Sequence, residues 1–332
     1  MGFQVSSESV VRVTILSGIR PHPNADRLDV AFADGGYPVI TKRNEYVEGA
    51  MVVYVPVDTM IPVDGEFSWL SNGRDSAHRV RAKRLRGIFS MGLVLPALPS
   101  DAVGDIVGER YGMFKYEPPG EDVHTGGEPL DDEPSVTIPK YDIEGWRKFG
   151  NLVFQDPNEE VVATEKLHGG NARFMWHGGR LRAGSRSQWK LPEGRNDWAA
   201  AARKYGLRDI CEKLGENIVL YGELLGVQDL RYGFAPGDPG FFVFDVFDAN
   251  TGTFWPHDTV VERLPMLPHV RVLWRGPVAD LPIAELVEGK TTVDGAEHVR
   301  EGVVVKPTSE RYSEALNGRA ILKLHGEGYL TR

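Results

Sequence analysis

A lysine attacks phosphorus or a carbonyl once burial or neighbouring cations make its neutral amine available. The stretch Thr164-Glu165-Lys166-Leu167-His168-Gly169-Gly170-Asn171-Ala172-Arg173 offers such a lysine. Lys166 stands between the apolar run Val161-Val162-Ala163 and a Gly-Gly pair, so a strand is expected to deliver it to a tight, backbone-exposing loop. Taken alone, Lys-Leu-His-Gly is better read as a surface lysine in a hairpin. Downstream follow Ser185-Arg186, Tyr221-Gly222-Glu223, Phe242-Val243-Phe244-Asp245 and Glu301-Gly302-Val303-Val304-Val305-Lys306, with Lys323 in a last apolar run. Each fragment is weak by itself; their order is what matters.

Strands must position these groups, and the chain supplies them. Ile218-Val219-Leu220-Tyr221 reads as a buried strand ending at Gly222-Glu223. Residues 240–247 are too aromatic for a solvated edge, and residues 300–306 and 320–324 complete the set. Between them, residues 196–214 read as one helix with a cap at Asn196-Asp197 and apolar spacing at Ala199, Ala202 and Tyr205. Earlier, Val11, Val13 and Ile15 alternate with polar positions, as do Leu28, Val30 and Phe32, while Met51-Val52-Val53-Tyr54-Val55 is a more buried run. Short strands punctuated by turns predict a small barrel. The dense cationic run is Arg79, Arg81, Lys83, Arg84 and Arg86. If residues 79–84 are extended, Arg79, Arg81 and Lys83 share a face that could track a phosphate backbone; a solvated face is the other reading. Residues 117–135, rich in Pro, Gly and acid, predict a linker, after which Asp142 is expected to cap a short helix.

The 332 residues suffice for two domains. No apolar run is long enough for a membrane span, the N-terminus lacks the features of a secretion signal, and a single cysteine, Cys211, fits a reducing cytosol. At a net charge of −9, any nucleic-acid surface must be a local concentration of cations. The histidines, His325 among them, show no metal-ligand spacing.

In this order and at these separations the fragments resemble the nucleotidyl-transferase motifs shared by polynucleotide ligases and mRNA capping enzymes. The usual Lys-x-Asp-Gly appears as Lys166-Leu167-His168-Gly169; that His, and Asn171 two residues past the glycine, are similar to the RNA-ligase branch. The segment from Ile19 through Pro21-His22-Pro23-Asn24-Ala25-Asp26-Arg27-Leu28 to Val30, with Asn44 and Gly49, resembles the oligonucleotide-binding barrel of tRNA-binding domains. A barrel ahead of the catalytic domain, with the chain ending just after the final motif, is similar to the Deinococcus/Naegleria type of ATP-dependent RNA ligase.

The resemblance implies an α+β chain: an oligonucleotide-binding barrel at 1–116, a linker at 117–139 and, at 140–332, an adenylyltransferase domain of antiparallel sheets flanked by helices. It implies that Lys166 takes AMP from ATP, passes it to an RNA 5′-phosphate, and that a 3′-hydroxyl displaces it. Lys166, Asn171, Arg186 and Lys323 would carry the chemistry. Glu165, His168, Gly169, Glu223, Phe244 (Phe242 as second choice) and Lys306 would join Lys166, Arg186 and Lys323 in holding the nucleotide, and Glu301 and Glu223 would hold Mg²⁺ or Mn²⁺. Lys323, Lys306 and Arg186 are expected to crowd Lys166 and disfavour its ammonium form. Arg79, Arg81 and Lys83 would bind RNA ends or a nicked duplex with 5′-phosphate and 3′-hydroxyl. One departure stands out: the last motif ordinarily has two lysines, and Ile321 fills one slot. The implied protein is a cytoplasmic monomer with no membrane association. The competing readings are a GTP-using guanylyltransferase of the capping type and a non-catalytic RNA- or tRNA-binding protein.

Overall fold

In a computed structural model of the chain, residues 10–71, 73, 75–116 and 131–332 are described. Their contacts separate into two units. One comprises the described residues within Ser6–Glu117, with Glu144–Asn151 and Glu327–Arg332; the other those within Pro118–Ile143, with Leu152–Gly326. Of the expected linker, residues 117–130 lie outside the described residues. Residues 131–139 pack within the second unit, where Asp131 pairs with Arg180 at 2.8 Å and the Pro139 carbonyl accepts from Tyr221 Oη at 2.8 Å.

Within Ser6–Glu117 the first unit is built mainly of short strands: β1 (Arg12–Ile15), β2 (Ser17–Pro21), β3 (Leu28–Ala33), β4 (Tyr37–Lys42), β5 (Met51–Val55), β6 (Thr59–Pro62), β7 (Ala77–Arg79), β8 (Lys83–Leu85), β9 (Ile88–Ser90), β10 (Leu93–Pro96) and β11 (Phe114–Lys115). They pair as β1-β5-β10, β2-β3-β4, β11-β6-β7 and the hairpin β8-β9. The apolar run of β5 is buried on both faces because it divides two cores: Val53 and Val55 pack with Val13 and Ile61, Val52 and Tyr54 with Leu16 and Val39. The rigid turn after β2 clamps the β8-β9 hairpin, His22 Nε2 to the Leu85 carbonyl and Asn24 Nδ2 to the Arg86 carbonyl, both at 3.0 Å. Arg79, Arg81 and Lys83 do not share one strand, because Val80 and Ala82 dip into separate cores and break it between β7 and β8. The alternation survives: Val80 and Ala82 are buried while Arg81 and Lys83 are exposed.

A two-residue strand β12 (Glu144–Gly145) leads into α1 (Trp146–Val153). Asp142 is not the cap of α1, since its carboxylate instead takes Arg186 at 3.2 Å. Glu144–Asn151 belong to the first unit; the second holds β13 (Glu160–Lys166), β14 (Gly170–His177), β15 (Arg180–Gly184), β16 (Trp189–Lys190), α2 (Asp197–Lys204), α3 (Leu207–Leu214), β17 (Ile218–Leu225), β18 (Gly240–Asp248), β19 (Thr253–Phe254), α4 (His257–Arg263), β20 (Val272–Pro277), α5 (Ile283–Leu286), β21 (Gly302–Pro307), β22 (Tyr312–Ser313), β23 (Gly318–Arg319) and β24 (Leu322–His325). One antiparallel sheet runs β16-β15-β14-β17-β18-β19, and a second sets β24, β21, β13 and β20 side by side. The expected single helix is two, broken at Gly206 with φ 62°, although Asn196 does cap the first by accepting from Ala199 N–H at 2.9 Å. One face of the six-stranded sheet buries Ala172, Phe174, Leu220 and Phe241 against Trp198, Leu207 and Cys211 of these helices. The other face buries Met175, Val219, Tyr221 and Phe247 in a second cluster with Ile138, and carries Asn171 and Glu223 at its end. β17 does not end at Gly222 but runs on through Glu223 to Leu225. Gly222 permits this because a Cβ there would meet the Phe241 ring at 2.3 Å.

The buried His257 at the start of α4 is pushed down from 6.5 to about 4, by burial first and then by the Lys306 charge. Between these values the unfolded chain binds a proton that the folded one refuses, so stability should fall as pH drops through that window. Thermal melts at neutral and mildly acid pH check this: His257→Asn is expected to flatten that part of the wild-type slope.

Candidate active site

Which face Lys166 occupies follows from strand register. β13 pairs with β21 so that Lys166 lies opposite Gly302, Thr164 opposite Val304 and Val162 opposite Lys306. β21 sets Gly302 opposite His325 and Val304 opposite Lys323. Opposed residues of an antiparallel ladder share a face, as do alternate residues of a strand. Lys166, His325, Lys323 and Lys306 thus stand on one face, Lys323 one row from Lys166 and Lys306 two rows. Glu301, just before β21, brings its carboxylate to the first row: Oε1 lies 2.9 Å from Lys166 Nζ and 3.4 Å from His325 Nε2. Burial alone would push the Glu301 carboxyl up, but Lys166, His325 and His168 outweigh it and hold it well below the usual carboxylate range.

The turn after Lys166 carries the chain into the second sheet, and it has no room to spare. A Cβ on Gly169 would sit 2.0 Å from the Leu224 carbonyl oxygen, so only glycine lets the Gly169 N–H donate to Glu223 Oε1 at 2.8 Å. Asn171, Glu223 and Phe242 lie abreast on β14, β17 and β18. Asn171 Oδ1 is buried without a hydrogen-bond partner. Among the apolar residues of β18, Phe242 and Phe244 are partly exposed and the others buried. Phe244 packs on Tyr141 at 4.8 Å between ring centroids.

His168 is fixed at three points. Its N–H donates to Tyr232 Oη at 3.0 Å, Nε2 meets Asp229 Oδ1 at 2.6 Å, and Nδ1 stands 3.9 Å from Glu301 Oε2. Burial pushes the imidazole below its ordinary value, against the pull of Glu301 and Asp229.

Several expected members lie elsewhere. Alternation points Glu165 away from Lys166, and its Oε2 accepts from the Thr292 N–H at 2.7 Å and from the Thr292 hydroxyl. Arg186 is 43% exposed and held by Asp142. Lys306 is buried on Asp245, which also takes Arg319 at 2.6 Å and the Tyr141 hydroxyl. Of the cations expected to crowd Lys166, Lys306 is therefore committed to Asp245, because a buried charge needs its own partner, and Arg186 is paired at the surface. The neighbour of Lys166 is an anion, Glu301. Asp229, Tyr232 and His325 were not anticipated; for His325 the available signal was its place two residues after Lys323, on the same strand face.

The described residues contain no group of three His, Cys, Asp or Glu side chains that could cage a metal ion. A divalent cation nevertheless fits at Glu301, whose Oε2 is buried without a hydrogen-bond partner. Mg²⁺ and Mn²⁺ accept one carboxylate when phosphate oxygens and water complete the shell. Glu223 offers less, since Oε1 is engaged by Gly169.

A lysine and a carboxylate thus meet where the chain passes from one sheet to the other, the arrangement that a nucleotidyl-transferring ligase needs. A family model described as RNA ligase matches residues 159–325, half of the chain, and an OB-fold domain model matches residues 10–97. The chain belongs to the RNA ligase family. Among solved structures it is similar to Naegleria gruberi RNA ligase with PPi, at a TM-score of 0.81 and 25% identity over 97% of this chain and 98% of that one. A mutant of that ligase with AMP and Mn gives 0.82 and 25% over the same shares. Another, with ATP and Mn, shares the fold at 0.81 and 23% over 97% of this chain and 98% of that one. No curated protein matches the chain by sequence. Among the described residues no helix is long and apolar enough to cross a membrane.

Proposed function

We propose that this RNA ligase joins 3′-hydroxyl and 5′-phosphate RNA ends with ATP, through a lysyl-AMP and an RNA-adenylate, as a cytoplasmic monomer acting in RNA repair. The observation that carries the reading is the Lys166–Glu301 pair at 2.9 Å, formed by residues far apart in sequence at the end of two facing strands. Lys166 Nζ bonds to the α-phosphorus of ATP and pyrophosphate leaves. The attack needs the uncharged amine, so the proton held against Glu301 must go first. The RNA 5′-phosphate then displaces Lys166 and takes the AMP; the 3′-hydroxyl, losing its proton, displaces AMP and closes the phosphodiester.

Around these in-line displacements the chain's residues bind and orient. Phe244, with Phe242 beside it, offers a face for adenine; Glu223 accepts from ribose hydroxyls; Lys323, one row from Lys166, neutralises charge on the α-phosphate. Asn171 serves the later steps at the RNA end. A divalent ion at Glu301, Mg²⁺ or Mn²⁺, supplies charge neutralisation at the phosphates when bound. Arg81 and Lys83 of the first unit meet the RNA backbone. Arg186 and Lys306 act by holding Asp142 and Asp245 in place.

Sealing assays test the proposal on nicked duplexes whose flanking strands are swapped between RNA and DNA, with ATP or GTP and with Mg²⁺ or Mn²⁺. ATP-dependent sealing of a nick carrying RNA ends is expected. Covalent labelling by GTP in place of ATP would instead make the chain a guanylyltransferase.

A further inference from the structure

The first unit bears a groove of about 710 Å³ on its β11-β6-β7 sheet. Register sets Phe114 opposite Met60 and Met60 opposite Arg79, so the three stand abreast on one face, while the next residue of β6, Ile61, turns into the core. This face is a platform. Phe114 is 58% exposed. The Arg79 guanidinium lies 3.7 Å from the centre of the Tyr116 ring, fixed there by Asp58 at 2.7 Å. Arg81 and Lys83, both exposed, edge the groove, with Asp75 its acidic lining residue. Both cations press on the neighbouring His78, which burial first and then their charges push below its ordinary value. Phe114 and Tyr116 lie beyond residue 97, so the aromatic part of this platform falls outside the OB-fold match, while Met60 and Arg79 fall within it.

We propose that this groove holds an unpaired nucleotide of the RNA substrate, its base on Phe114 and the Arg79–Tyr116 stack and its phosphates at Arg81 and Lys83. The proposal rests on the RNA-ligase reading above and adds the state of the strand to it. In an A-form duplex the bases are stacked inside and present sugars and phosphates, for which an exposed phenyl ring and a thioether are useless. An unpaired base has two free faces, and aromatic rings or a guanidinium plane bind them whatever the sequence. Cations on the rim of an otherwise acidic chain, with net charge −9, complete the match to one base and its flanking phosphates.

The test is fluorescence anisotropy of the full chain, without ATP, on a dye-labelled single-stranded oligoribonucleotide with a 5′-hydroxyl and on a blunt RNA hairpin of the same composition. The wild type should bind the single strand more tightly. Phe114→Ala should weaken single-strand binding about tenfold, Phe114→Trp should restore it, and the hairpin should be nearly indifferent to both. Arg81→Ala and Lys83→Ala should weaken both probes and flatten the salt dependence. A Phe114→Ala protein that melts like wild type yet keeps single-strand affinity, with Arg81 and Lys83 still needed, overturns the nucleotide groove and leaves the ligase reading standing. A wild type that binds neither probe overturns the groove and the assignment of RNA to this unit together.

Discussion

Lys166→Ala is expected to abolish ATP-dependent sealing of a 5′-phosphate nick while a nick supplied already adenylylated is still joined. The logic is in the bonds. Only the first of the three displacements uses the lysine amine as nucleophile; the last needs the 3′-hydroxyl, the activated phosphate and the groups that orient them. Alanine also removes the cation that faces Glu301 at 2.9 Å, leaving the carboxylate with His325 at 3.4 Å. Some loss on the adenylylated nick is therefore expected, on the order of tenfold, against at least a thousandfold on the 5′-phosphate nick. Comparable losses on the two substrates would mean that Lys166 shapes the site without being its nucleophile.

The second large effect is on stability. Asp245→Asn removes the one carboxylate that joins Lys306 of β21, Arg319 of β23 and the Tyr141 hydroxyl. Burial would push this carboxyl up, yet Arg319 and Lys306 hold it well below its ordinary range. An amide leaves two buried cations facing Glu310 alone, and breaking a buried pair in this way costs about 3–5 kcal/mol. Denaturant unfolding should register that loss, and Lys306→Met in the same chain should return part of it, since the uncompensated cation goes too. Because the native carboxyl titrates below its ordinary value, the contribution is complete above that value and disappears only as pH falls through the depressed one. A variant as stable as wild type would show that the cluster is solvated and not a joint between the sheets.

Much of the scaffold was legible because alternation and turn chemistry are local. The apolar run of β5, the Asn196 cap and the strand that ends at Lys166 before its glycines could all be read along the chain. The pairing of Lys166 with Glu301 could not be read from spacing, and only the order of the motifs pointed to it. Charges were the hardest to place. A cation at the right register, such as Lys306, looks available in sequence until the fold supplies the anion that burial demands, here Asp245 from the other sheet. Arg79 is similarly committed to Asp58, leaving Arg81 and Lys83 as the exposed pair. Glu165 was legible in hindsight: a strand residue beside Lys166 must point the other way. Asp229 and Tyr232 carry no signal of their own, since they reach His168 only through the loop between β17 and β18.

The most direct measurement is peptide mapping by mass spectrometry after the protein meets ATP and a divalent cation in the absence of RNA. One adenylate bound to the Lys166 amine, labile to acid as a phosphoramidate, is the result expected. An adenylate on another residue, or the same labelling in Lys166→Ala, would contradict the account.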